Sequence, residues 1–163
     1  PDYWGGDIAW INSGKVNDFR ITSESEFITA KGLKKSATKM LPIHTVVLAI
    51  TGATLGQESI TLIECCANQS VVGILETPLF PYQLIHPLIK VSMKELLRNQ
   101  GGGAQPHINK DDVGNVSFNF PTKETIDDYL RSVNSLFATI EKNCHEIDKL
   151  IDLESALVAK LSR

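Results

Sequence analysis

The chain of 163 residues has little cysteine: only Cys65, Cys66 and Cys144. An odd number with two adjacent does not build a disulfide framework and suits a reducing cytoplasm. The histidines, His44, His86, His107 and His145, keep no metal-ligand spacing with one another or with the cysteines, so no metal site is expected. No apolar run approaches the roughly 18 residues needed to cross a bilayer, and nothing at the N-terminus resembles a signal peptide. The opening residues, Pro1-Asp2-Tyr3-Trp4-Gly5-Gly6, read instead as the interior of a domain, so further sequence is expected before Pro1. A basic excess is missing too. The formal net charge of −3 argues against a simple basic DNA-coating protein and leaves nucleic-acid reading open if basic residues gather on one face.

Catalytic signatures are equally scarce. Gly52-Ala53-Thr54-Leu55-Gly56-Gln57-Glu58-Ser59 invites comparison with a phosphate-binding loop, but its glycines stand one residue too close. Gln57 occupies the position of the lysine that would reach the phosphates. A tight turn between two strands accounts for the segment better. Gly101-Gly102-Gly103 lacks any further glycine at dinucleotide-binding spacing and reads as a loop. There is no Asn-Pro-Pro-Tyr-type methyltransferase motif, no G-x-S-x-G elbow and no histidine at a recognisable distance from a nucleophile. Nothing positive supports catalysis by this chain.

What is present divides near Pro121. Before it, short β-branched runs alternate with glycine, proline and polar turns. Thr45 to Ile50 reads as a buried strand, and Asp7 to Ile11, Ser59 to Ile63, Ser70 to Leu75 and Asn115 to Phe120 as further strands. A helix is expected from Met93 to Asn99, with Ser92 and Glu95 as a capping box and Gly101 ending it. Another is expected from Tyr82 toward Lys90, bent or broken at Pro87. The class is α+β, a mixed and mainly β globular domain over residues 1–121 followed by one long helix over 122–163.

The second part has neither glycine nor proline from Thr122 to Arg163. Leu130, Phe137, Cys144, Ile151 and Val158 form one seven-residue series, and Ile126, Val133, Ile140, Ile147 and Leu161 the other. As a and d positions they make a coiled-coil seam about five heptads long, broken once by Glu154. Tyr129, Leu136, Leu150 and Leu157 at g widen the stripe, which therefore needs a second surface. Thr122 is a suitable N-cap, with Glu124, Asp127 and Asp128 near the positive end of the dipole and Lys160 and Arg163 near the other. A continuous helix of this extent would run about 60 Å, longer than a small domain can bury.

The densest basic feature is Lys31, Lys34, Lys35 and Lys39, a set that fits phosphate neutralisation or an ordinary solvated face. Asn12, Ser13, Lys15, Asn17 and Arg20 follow an apolar strand and carry donors and acceptors suited to base edges. Trp4 and Trp10 offer stacking surfaces, but Trp10 alternates with Ile8 and reads as core. Asn68-Gln69 fits either adenine contacts or a turn that holds backbone groups.

Taken in order, these pieces resemble the target-recognition domains of type I restriction–modification specificity subunits. The matching string is Tyr3 to Ile11, Ile28-Thr29-Ala30-Lys31-Gly32-Leu33 with Ser36, and Leu41-Pro42. It continues through Gly52 to Gly56, Asn68-Gln69, Gly103 to Lys110 and the long helix after a proline. No piece is specific alone, but the ordered set covers nearly the whole chain. Two departures stand out. Pro121-Thr122-Lys123-Glu124-Thr125 replaces the Pro-Pro-x-x-Glu-Gln-like helix start of many relatives, and Pro87 falls where relatives have an uninterrupted helix.

The resemblance implies a non-catalytic subunit that reads one half of a bipartite double-stranded DNA target and uses its helix as a spacer. It implies separate methyltransferase subunits that use S-adenosylmethionine, and restriction subunits that use ATP and magnesium, with no cofactor on this chain. Two copies pairing through the a/d seam would restore two reading ends. Base readers are expected in the Asn12 to Arg20 loop and phosphate contacts in the lysine cluster. Two other readings remain open: a fragment of a fused restriction–methyltransferase, and a coiled-coil interaction module without DNA contact.

Overall fold

The computed structural model describes residues 2–98, 107–119 and 121–162. The chain forms two compact units, Pro1–Pro121 and Thr122–Arg163. It is α+β, with its sheets in the first unit and a long helix as the second.

Two small sheets build the first unit. One has the order β2 (Glu26–Ile28), β1 (Trp4–Ile11), β6 (Cys65–Ala67), β3 (Met40–Leu41). Here β1 runs parallel to β6, while β2 and β3 pair antiparallel on the outside. The other is antiparallel, with β4 (Val46–Ala49) between β5 (Glu58–Ile60) and β7 (Val71–Ile74). All four residues of β4 are buried, as expected for an unbroken apolar run in a central strand. The main core forms where the sheets meet: Ile11 and Cys65 of the first pack with Val47 and Ala49 of the second, joined by Val16 and Ile21.

The Gly52–Gln57 segment is the expected turn. A 3-10 helix at Gly52–Thr54 joins the antiparallel pair β4 and β5, and Gly52 and Gly56 hold φ of 74° and 83°. Those left-handed angles explain the glycines without a phosphate. His44 takes the same unfavourable region at φ 67°, and its ring stacks on Tyr82 with centroids 4.3 Å apart.

Where two helices were expected there is one, α2 (Tyr82–Arg98), continuous through Pro87. Ile85, Ile89, Met93 and Leu96 are buried along one face on both sides of the proline. An interior proline costs about 3 kcal/mol, whereas each such side chain gains about 1.5–3 kcal/mol on burial. The shared face therefore outweighs the break, and Ser92 and Glu95 lie within the helix rather than at a cap. The expected end at Gly101 lies outside the described residues.

The expected strand after Asn115 is also absent over Asn115–Asn119, and Phe120 lies outside the described residues. Instead α3 (Lys110–Gly114) ends there, and the Asn115 and Val116 amides donate back to Asp111 and Val113 carbonyls. Those donors are spent within a helical turn rather than on a ladder. The short strands β2, β3 and β6 and the helix α1 (Ala30–Lys35) were not anticipated at all.

The second unit is α4 (Lys123–Leu161), an unbroken helix of 39 residues. Thr122 caps it, its hydroxyl accepting from the Thr125 amide at 3.3 Å. Along this helix Leu136, Ile147, Leu150, Ile151, Leu157, Val158 and Leu161 are exposed. No helix of the described residues is long and apolar enough to cross a membrane.

Candidate nucleic-acid interface

The Asn12–Arg20 loop is a built structure rather than a slack polar connection. Ser13–Asn17 forms a 3-10 helix whose Val16 is buried in the core. Asn12 caps it, Oδ1 accepting the Lys15 amide at 3.1 Å. The Lys15 ammonium donates to Ser23 Oγ at 2.9 Å and pairs with Asp18 at 2.9 Å. Arg20 is buried, donating to the Phe19 carbonyl at 2.6 Å with its guanidinium 4.4 Å from the Phe19 ring. Ser59 Oγ, in turn, donates to the Asp18 carbonyl at 2.7 Å and fixes the loop to β5. Three of the five expected base readers, Asn12, Lys15 and Arg20, thus have structural partners. Ser13 is half-buried and Asn17 exposed, and Phe19 presents an exposed ring beside them.

Arg20 also belongs to a group of charges under α2. His86 Nε2 lies 3.5 Å from Glu58 Oε1, and the Lys90 ammonium 3.6 Å from the same oxygen. Burial first, then the Arg20 and Lys90 charges, lowers the His86 pKa to about 4. The imidazole is therefore neutral at pH 7, and its approach to Glu58 is not an ion pair. The adjacent thiols are held protonated for a similar reason: burial, with Cys66 alongside, pushes Cys65 up to about 12, and burial also raises Cys66.

The lysines sit on and after α1. Thr29 caps this helix, accepting the Gly32 amide at 3.0 Å, while its hydroxyl donates to the Asp2 carbonyl at 3.0 Å. Lys31 pairs with Asp2 at 2.7 Å and lies 6.0 Å from the Tyr3 ring centre, so it helps tie α1 to the start of β1. Lys34, Lys35 and Lys39 are exposed and form no ion pair among the described residues. The cluster therefore separates into one tethered lysine and three that face solvent.

Beside these lysines lies an open cleft of about 670 Å³. Its shape begins with β1, where Trp4 and Ile8 both register opposite Ile28 and the intervening residues bulge from the ladder. Gly5 supplies a φ of 77° for the bulge. At Gly6 a Cβ would come within 2.4 Å of the Ile28 carbonyl oxygen, and at Gly32 within 2.7 Å of that of Tyr3. These close approaches bring Trp4 edge-on against Trp10, with ring centres 4.9 Å apart and planes at 87°. Both indoles line the cleft, with Lys39, Asn68, Gln69 and Lys110 around them. Trp10 is thus half-buried at a cleft wall rather than core, although β2 and β6 flank it within the sheet. Asn68 also shapes a turn, Oδ1 accepting the Ser70 amide at 3.1 Å.

Sequence reasoning missed this cleft as a unit. Its signal was present in two tryptophans six residues apart around a Gly-Gly pair, but the link to Lys39 and Asn68 depends on the parallel β1–β6 pairing. Among the described residues, no group of three or more histidine, cysteine or acidic side chains is placed to hold a metal ion.

The first unit carries the exposed basic helix α1, and the second is the long helix α4. Residues 1–150 match the family described as the type I restriction modification DNA specificity domain, and the chain belongs to that family. It is 26% identical over 128 residues to the type I restriction enzyme MjaIX specificity subunit of Methanocaldococcus jannaschii. That alignment covers 76% of this chain and 29% of the archaeal subunit. A chain solved in work titled "Structural basis underlying complex assembly and conformational transition of the type I R-M system" shares the fold. The TM-score is 0.58 at 15% identity, over 85% of this chain and 33% of that one. This chain therefore spans about a third of the length of the relatives it matches.

Proposed function

We propose that this chain reads one half of a bipartite double-stranded DNA target for a type I restriction–modification enzyme and performs no catalysis itself. The observation that carries the reading is the family match over residues 1–150, which includes the sheet-bearing unit and much of α4. Methylation by S-adenosylmethionine-dependent subunits and restriction by ATP- and magnesium-dependent subunits would be supplied by partners. Lys34, Lys35 and Lys39 are the phosphate contacts of this reading, with Lys31 tethered behind them. Ser13 and Asn17 reach bases from a loop that Asn12, Lys15 and Arg20 hold in shape. The exposed seam of α4, through Ile147, Ile151 and Val158, pairs with a second helix, from another copy or from further sequence of the same subunit.

Binding of a labelled duplex, followed by anisotropy across salt concentrations, tests the phosphate role. Each phosphate contact contributes about 0.9 to the salt slope, so Lys34→Ala with Lys35→Ala should lower it by roughly 1.8. An unchanged slope removes those residues from the interface. Methylome sequencing of cells carrying the intact system tests the rest. Replacing residues 12–20 by the equivalent loop of a relative should alter one half of the methylated motif; an unaltered motif assigns base reading elsewhere.

A further inference from the structure

We propose that the Trp4–Trp10 cleft receives a single unstacked nucleotide of a DNA strand, its base against the indoles and its phosphates on Lys39 and Lys110. The proposal deepens the DNA-reading function and rests on it. Three observations converge. The cleft is concave and about 670 Å³, a size typical of small-ligand sites. A base pair stacked within a duplex presents only its edges, so a concave aromatic wall suits a base whose faces are free. Both tryptophans of the chain stand in this one wall, and Trp4 is 45% exposed.

Charge selects the ligand further. The chain has 19 acidic residues and a net charge of −3, yet no aspartate or glutamate is found among the described residues lining the cleft. Its charged groups are Lys39 and Lys110. An apolar side chain of a partner protein would need no such bias, whereas a nucleotide carries both the planar ring and the anion. The amides of Asn68 and Gln69, in the same lining, have donors suited to the edge of a base. The fixed geometry of the wall comes from Gly6 and Gly32, where no larger residue fits without moving backbone.

The two tryptophans also make the test direct, because the emission of the full chain reports on this cleft alone. It should be titrated with a single-stranded oligodeoxynucleotide of about ten nucleotides, within the range a single-strand groove spans. A duplex of the same sequence and free deoxyadenosine monophosphate serve as parallel probes. The single strand should quench emission, and Trp4→Ala should weaken its binding on the order of tenfold. Trp4→Phe should restore most of that loss. Lys39→Ala, an exposed position that leaves the fold intact, should weaken binding and lower the salt slope by about 0.7. Unchanged emission, or equal affinity of the Lys39→Ala and wild-type chains for the single strand, overturns the proposal. Duplex binding that persists with unchanged emission does so while leaving DNA reading by the chain in place. Quenching by the mononucleotide at concentrations as low as those of the strand overturns DNA as the source and makes the cleft a free-nucleotide site.

Discussion

Leu48 in β4 is fully buried, whereas Leu150 in α4 is 58% exposed, although both are leucines within regular elements. The contrast extends to their neighbours: Val46, Val47 and Ile60 are sealed inside the first unit, while Ile147, Ile151 and Val158 face outward along the helix. The first unit has two sheets to press together, so each strand finds a partner layer. Over the exposed stretch of α4 no such layer is present among the described residues. Its apolar stripe has the same driving force for burial, about 25 cal/mol per Å², but that force is realised only when another surface arrives. The first unit therefore buries its own apolar side chains, whereas α4 leaves Ile147, Leu150, Ile151 and Val158 exposed.

The largest effect that would break this contrast is in the core. Leu48→Ala should destabilise the first unit by about 2–5 kcal/mol, read from a urea transition followed by tryptophan emission. A loss below about 1 kcal/mol would show that β4 is not the sealed centre described here.

Acid gives the next. His86 has its folded-state pKa lowered to about 4, below the ordinary value of 6.5. In that window the unfolded chain binds the proton more readily, so stability from this group is complete above pH 6.5 and falls as the pH drops toward 4. The expected loss is about 3 kcal/mol. A His86→Gln chain should show a flatter profile between those limits, and an identical profile would assign the acid sensitivity to other groups.

Smaller effects belong to the helix. Thr122→Ala removes the cap and should cost about 1 kcal/mol, seen as lower helicity by circular dichroism with no change in the tryptophan transition. Leu150→Gln, at dilutions where the chain is monomeric, should alter stability by less than about 0.5 kcal/mol. If it instead costs as much as a core replacement, the leucine is covered and the contrast fails.

The amino-acid sequence by itself determined the elements whose pattern is local. The unbroken apolar run at Val46–Ala49, the glycines of the Gly52–Gly56 turn and the 39-residue helix after Thr122 all follow from propensity, periodicity and capping. The long helix was legible because nothing between Thr122 and Leu161 opposes it. Tertiary structure decided the rest, wherever a distant partner outweighed a local preference. Pro87 stays inside α2 because Ile85, Ile89, Met93 and Leu96 share one buried face across it. Arg20 and Asn12, polar residues in a polar loop, were indistinguishable from exposed readers until Val16 anchored that loop in the core. The cleft is the clearest case. Trp4, Lys39 and Asn68 are far apart in the chain, and they share a wall only because β1 bulges at Gly5 and lies parallel to β6. Backbone pairing at that separation leaves no periodic trace in the residues it joins, so only the folded chain reveals it.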